Sequence, residues 1–287
     1  MPRSRPVDGF RLTYDRPHPD AGPPVVLLHG WPGDRTDYAD VVPQLPDVDV
    51  LVPDLRGFGG SDKPPGDPVS DYSADAQARS VLGLLDELGL APAVLVGYDV
   101  GSRIAQTLAR AAPERVRALV ITPPVPGIGR RILDPQVQRE FWYQSFHQLD
   151  LAEQLLDGSP DAVRPYLHHF WSHWSGPGFE PDAARMEHLT EVYSSPGAFV
   201  ASISWYRAGS GAVARSLAEQ PPTPEDRLAT PTTILWPEHD PVFTHEWSDR
   251  VDEFFADARL QMVDGVGHFV PVEAPEVVAE AVRAVLR

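Results

Sequence analysis

The sequence predicts an α/β protein: a mostly parallel central sheet flanked by helices, with an inserted helical cap. Three observations carry this. Short apolar runs alternate with helical patterns through the first 123 residues. The alternation stops over residues 124–227, where only helical patterns occur, and it resumes over residues 228–287. The apolar runs are four to six residues long and bounded by turn residues, as in strands buried on both faces of a parallel sheet.

Taken in order, "RPVDGFRLTY" reads as a short hairpin turning at Asp8-Gly9. The strand candidates are "PPVVLLHG" (23–30), "DVDVLVPD" (47–54), "PAVLVG" (92–97), "RVRALVIT" (115–122), "PTTILWP" (231–237) and "ARLQMVDG" (258–265). A helix is expected over Ser73–Gly89, with a Ser cap and a Gly stop. Others are expected over Ser102–Pro113 and Pro275–Arg287. Strand–helix alternation implies right-handed crossovers and a parallel sheet. After the Pro-Gly linker "PPVPGIG" come the aromatic helical segments "QVQREFWYQSFHQLDLAEQLL", "AVRPYLHHFWSHWS", "DAARMEHLTEVY" and "PGAFVASISWYRAG". Residues 1–123 and 228–287 are therefore expected to form the core, and 124–227 the cap with its linkers.

Lys and Arg total 24 against 41 Asp and Glu, a formal charge of −17. An acidic surface of this size argues against nucleic-acid and membrane-surface partners. With no Cys, disulfides, thiolate nucleophiles and cysteine metal sites are excluded. The start "MPRSRPVDGF" lacks a signal-peptide core, and no run of about 18 apolar residues exists to span a membrane. A cytoplasmic location is expected, and no cofactor is called for.

The stretch most in need of a chemical reason is "VLVGYDVGSRIAQTLAR" (94–110): strand, Gly-x-Asp-x-Gly, helix. This is the layout of a nucleophile elbow, with Asp99 where a serine commonly stands. Flanking glycines let strand and helix close on one another and drive the central residue to positive φ. Its side chain then projects at the C-terminal edge of the sheet, where α/β proteins bind ligands. Asp99 also suits a purely structural N-cap for a helix beginning near Ser102.

Two distant features favour the chemical role. "HGWPG" (29–33) follows the first long strand and assigns a backbone N–H of Trp31 to an oxyanion hole, with Val100 N–H as second donor. Downstream, "WPEHDPV" places Asp240 after one strand and "DGVGHFVPVEAPE" places His268 after the next. Nucleophile, acid, histidine is the chain order of an α/β-hydrolase triad. Glu238 is a rival for Asp240, and His29 reads as buried structure. His169 and His173 share a helix face, but no carboxylate cluster accompanies them, so no metal site is expected. "DLRGFGGSD" lacks the spacing and strand context of a dinucleotide loop.

Together "HGWPG", "PDLRGFGGSDKP", "GYDVGSRIA", "EHDPV" and "GHFVPVEAPE" resemble the soluble epoxide hydrolases of the α/β-hydrolase fold. "FWYQSFHQLDLAE" and "SWYRA" resemble the cap segments carrying that family's two ring-opening tyrosines, which fall on Tyr143 and Tyr206. On pattern alone both tyrosines read as aromatic packing in a helical cap. The resemblance implies attack by Asp99 on an epoxide, hydrolysis of the ester by water activated by His268–Asp240, and protonation of the epoxide oxygen by Tyr143 and Tyr206. The chemistry is coherent, because a serine would give an ether whereas an aspartate gives a hydrolysable ester. The expected partner is a small epoxide, apolar or aromatic if Trp142, Trp171, Trp174 and Trp205 face a pocket; the same residues serve equally as cap core.

Two other readings stay open. Dehalogenases of this fold also use an elbow aspartate. Val100, however, replaces the indole of the haloalkane type and the first of two arginines of the fluoroacetate type, whose second matches Arg103; Tyr143-Gln144 stands where the latter's cap has His-Trp. A non-catalytic ligand receptor on the same scaffold is the reading of another class, against which the complete Asp99, Asp240 and His268 set weighs.

Overall fold

Six of the seven strands lie parallel because the residues that compose them have nowhere to go but inside. The computed structural model describes residues 1–90, 92–209 and 213–287. In it the sheet order is β1-β3-β2-β4-β5-β6-β7, from β1 (Tyr14–Asp15), β2 (Pro24–Leu28), β3 (Asp49–Pro53), β4 (Ala93–Gly97), β5 (Val116–Ile121), β6 (Thr232–Pro237) and β7 (Ala258–Val263). Only the β1–β3 pair is antiparallel. Every residue of β3 and β4 is buried. The edge strand β7 exposes Arg259 and Leu260, and its mixed face suits a sheet margin.

Helices α1 (Pro68–Tyr72) and α2 (Ala74–Leu88) connect β3 to β4, and α3 (Val100–Ala111) connects β4 to β5. Ser73 caps α2 through the Ala76 N–H, and Gly89 closes it at φ 66°. Helix α3 begins at Val100, earlier than the expected Ser102, because Asp99 itself is the cap. Asp8 and Gly9 turn the N-terminal hairpin at φ 51° and 86°, with Val7 and Phe10 bridged.

Between β5 and β6 the regular elements of the described residues are helical: α4 (Pro135–Glu140), α5 (Trp142–His147), α6 (Asp150–Leu156), α7 (Pro160–Trp174), α8 (Ala183–Ser194), α9 (Ala198–Arg207) and α10 (Val213–Ala218), besides 3-10 turns at Gly129–Leu133 and Pro224–Asp226. The first aromatic segment, read as continuous over 136–156, is split among three helices. Phe141 leaves helical geometry at ψ 8° and Leu149 is extended at ψ 145°. Helices α11 (Val251–Phe254), α12 (Val270–Glu273) and α13 (Pro275–Leu286) complete the core. No helix of the described residues is long and apolar enough to cross a membrane.

The helical segment is clamped onto the loop after β2 by polar contacts. Trp171 Nε1 donates to the Pro32 carbonyl at 2.9 Å and Tyr193 Oη to the Gly33 carbonyl at 2.8 Å. Arg185 pairs with buried Asp37 at 2.8 Å, and His188 with buried Asp34 at 2.7 Å. Buried carboxylates are tolerable because each has such partners.

Candidate active site

Strand β4 ends at Gly97, and two residues later the backbone turns through φ 47°, ψ −119° at Asp99. A non-glycine residue at positive φ is strained and holds only where its surroundings over-determine it. Here Gly101 supplies the constraint: any Cβ on it would fall onto the Leu28 carbonyl, so α3 can start this close to β2 only with glycine there.

The Asp99 carboxylate is buried and its oxygens are differentiated. Oδ1 accepts from Val100 N–H at 2.6 Å and from Trp31 N–H at 3.0 Å. Oδ2 lies 3.4 Å from His268 Nε2. His268 Nδ1 lies 2.8 Å from Asp240 Oδ2, and Asp240 Oδ1 accepts from the N–H groups of Val242 and Phe243. The structure thus brings together five sequence-predicted positions from four loops: Trp31, Asp99, Val100, Asp240 and His268. Burial depresses the His268 imidazole, but Asp240 and Asp99 on either side outweigh it and push its pKa up to about 10.

Tyr143 on α5 and Tyr206 on α9 form the opposite wall. Both are buried, with ring centroids 5.5 Å apart at 90°. Both phenols line the cavity that Asp99 opens into. Tyr143 Oη receives Gln144 Nε2 at 3.3 Å, and Tyr206 Oη has no hydrogen-bond partner among the described residues. Burial and the Asp99 charge raise both phenol pKa values, so both stay protonated. Trp31 braces them: its ring stacks on Tyr143 at 5.6 Å and meets Tyr206 edge-on at 5.8 Å.

Residues 23–275 match the family model described as "alpha/beta hydrolase fold". The chain belongs to that family. Among relatives of this α/β hydrolase, the soluble epoxide hydrolase of Corynebacterium sp. (strain C12) is 29% identical over 96% of the chain and 93% of its own length. The fluoroacetate dehalogenase of Burkholderia sp. is 32% identical over 71% of the chain and 68% of its own length. Among solved structures, epoxide hydrolase A from Mycobacterium thermoresistibile superposes with a TM-score of 0.80 at 26% identity, covering 99% and 97% of the two chains.

Other candidate positions of this α/β hydrolase fall elsewhere. His29 is fully buried, its Nε2 accepting from Leu55 N–H. Glu238 turns away from His268 to accept Gly265 N–H. His169 and His173 stack on the surface, with His173 against Glu140, and no metal-binding cluster occurs among the described residues. The four tryptophans divide between cap packing and the cavity. Trp142 is exposed, Trp171 stacks on Phe269 at 3.8 Å, Trp174 packs against His268, and only Trp205 reaches the cavity. Aromatic content in a helical segment reports packing as readily as a pocket.

Further groups shape the site without a sequence motif to announce them. Glu273 accepts the N–H groups of Gly176, Gly267 and Phe269, pinning the loop that carries His268. His147 packs 4.8 Å from Tyr206, and burial keeps it neutral. Their only sequence signal is polarity at positions flanking a site residue.

Proposed function

We propose that this α/β hydrolase opens a small epoxide to a vicinal diol through a covalent ester on Asp99. The observation that carries this reading is the split carboxylate: Oδ1 bound by two N–H groups, Oδ2 directed toward His268. In the first step Oδ2 attacks an epoxide carbon and the C–O bond breaks. The departing alkoxide takes a proton from Tyr143 or Tyr206. Their raised pKa values do not prevent this, since an alkoxide is the stronger base.

In the second step, water attacks Cγ of the ester and gives its proton to His268 Nε2. The negative charge then develops on Oδ1, where the Trp31 and Val100 N–H groups already stand, so no reorganisation is needed. The tetrahedral species collapses by expelling Oδ2 with the alkyl group, and His268 returns the proton to it; the second water proton, left on the Asp99 carboxyl, then passes to His268 and restores the starting pair. The two steps ask opposite things of His268. Before alkylation it is held protonated between two anions. Esterification neutralises Asp99, the imidazolium then passes its extra proton to the phenolate left by ring opening, and the neutral imidazole serves as the general base. Asp240 keeps its orientation throughout.

The apolar wall that receives the hydrocarbon part of the substrate includes Ile128, Phe141 and Phe243. The two phenols also favour epoxide opening over halide displacement, because an oxygen leaving group needs a proton and a halide does not.

One turnover in ¹⁸O-water tests the reading. The first diol released should carry unlabelled oxygen from Asp99, and Asp99 should gain the label. A diol labelled in that first turnover would mean direct hydration and would overturn the covalent mechanism.

A further inference from the structure

The two phenols of the cavity are not equivalent. Tyr143 Oη receives the Nε2–H of Gln144 at 3.3 Å, whereas Tyr206 Oη has no hydrogen-bond partner among the described residues. Tyr206 is instead packed by rings, with His147 at 4.8 Å and Trp31 at 5.8 Å. Gln144 lines the same cavity as Asp99 and both phenols. It is part-buried, and its other amide atom, Oε1, is buried without a partner among the described residues. An unpaired buried acceptor is destabilising, and it marks a place where polarity serves something other than packing. Turning the amide over would pair Oε1 with the Tyr143 hydroxyl, but the phenol proton would then point at the amide. In the observed orientation Tyr143 Oη is the acceptor and its own proton is free.

We propose that Gln144 is a positioning residue that makes Tyr143 the acid of the pair: its Nε2–H holds Tyr143 Oη as an acceptor, leaves the phenol proton for the epoxide oxygen, and remains to hold the phenolate once that proton has gone. The assignment rests on the epoxide-opening reading above and deepens it. As the bond from Asp99 Oδ2 to carbon forms and the epoxide C–O bond breaks, the alkoxide takes the Tyr143 proton and a full charge is left on Oη. A donor already in place meets that charge, and hydrogen bonds to an anion are shorter and stronger than those to a neutral oxygen. The 3.3 Å contact therefore tightens during the step, so it favours the transition state over the resting enzyme. Tyr206 has no such donor at its oxygen. It keeps its proton and offers a hydrogen bond to the same alkoxide. The electrostatics run the same way. Burial and Asp99 hold the Tyr143 proton on, with Gln144 pulling against them, whereas burial, Tyr143 and Asp99 all hold the Tyr206 proton on.

The experiment follows alkylation by styrene oxide in the His268→Gln background, where the ester accumulates and intact mass counts it. Gln144→Leu, which has no N–H, should lower the saturating alkylation rate by about tenfold or more, the scale of a lost hydrogen bond to a charged group. The half-saturating concentration should not change. Added to Tyr143→Phe, the same substitution should have no further effect, because its partner oxygen is gone. Added to Tyr206→Phe, it should keep its full effect. Gln144→Glu replaces the donor by an acceptor. It should be slower than Gln144→Leu at pH 8, and its rate relative to the parent should rise toward pH 5, where the protonated carboxyl donates to Oη again. Asp99, Arg103, Arg215 and Glu219 face the same cavity but are common to both enzymes, so the ratio reports the introduced carboxyl. An unchanged rate in Gln144→Leu, or an equal loss in the Tyr143→Phe background, would overturn the proposal and leave the epoxide reading standing. If the parent gains no mass from styrene oxide or propylene oxide, the epoxide reading itself falls, and the role of Gln144 with it.

Discussion

His268 Nε2 lies 3.4 Å from Asp99 Oδ2, so the imidazole is bracketed by two carboxylates rather than one. This sets a titration that responds to the charge on Asp99. The folded value of about 10 exceeds the ordinary 6.5, so the stabilising contribution is complete below pH 6.5 and is lost as pH rises through about 10. Asp99→Asn removes one anion and should lower the His268 pKa by about 1–3 units. Imidazole NMR across pH 6–11 checks this, and an unchanged titration would show that Asp99 does not hold the proton.

His268→Gln should stop the reaction halfway. Without a base on Nε2, the ester on Asp99 persists. Intact-mass spectrometry should show a gain equal to the mass of the added epoxide, within a peptide containing Asp99. Asp240→Asn should slow the same step less completely, since it disturbs the orientation and charge of His268 without removing it.

The phenols are predicted to share one task. Tyr143→Phe or Tyr206→Phe alone should slow ester formation by about 10- to 100-fold, and the double variant by about 10³-fold or more, within the range for general-acid catalysis. Rapid-quench measurement of the alkylated enzyme separates this from hydrolysis. An unaffected alkylation rate in the double variant would return both residues to packing.

Stability should depend on the clamp between α8 and the loop after β2. Asp37 is buried and its pKa is pushed up to about 7 by that burial, against the pull of Arg185. Arg185→Met leaves the carboxylate without its cation and should cost about 3 kcal/mol. The loss should be larger at pH 8, where Asp37 must ionise, than at pH 5, where it can hold a proton. Urea midpoints at the two pH values measure the difference.

Much of the fold is legible in the sequence. β2, β4 and β6 announce themselves as bounded apolar runs because both sheet faces are covered. Asp99, Asp240 and His268 are legible because each follows a strand at a turn whose chemistry is local. Tyr143 and Tyr206 were not legible from pattern, since an aromatic helix looks alike whether its rings meet a ligand or each other. The tryptophans illustrate the same ambiguity: Trp171 and Trp174 are packing, Trp205 lines the cavity, and nothing in their local sequence separates them.

Trp31 ties the two halves of the proposed cycle together. Its backbone faces the ester-cleaving step, while its indole buttresses both phenols of the ring-opening step. A change of ring at this position would shift the phenols and, through the loop, the donor at Oδ1. In the proposed cycle the two steps then share one residue, and a change of ring at Trp31 should alter the rates of both.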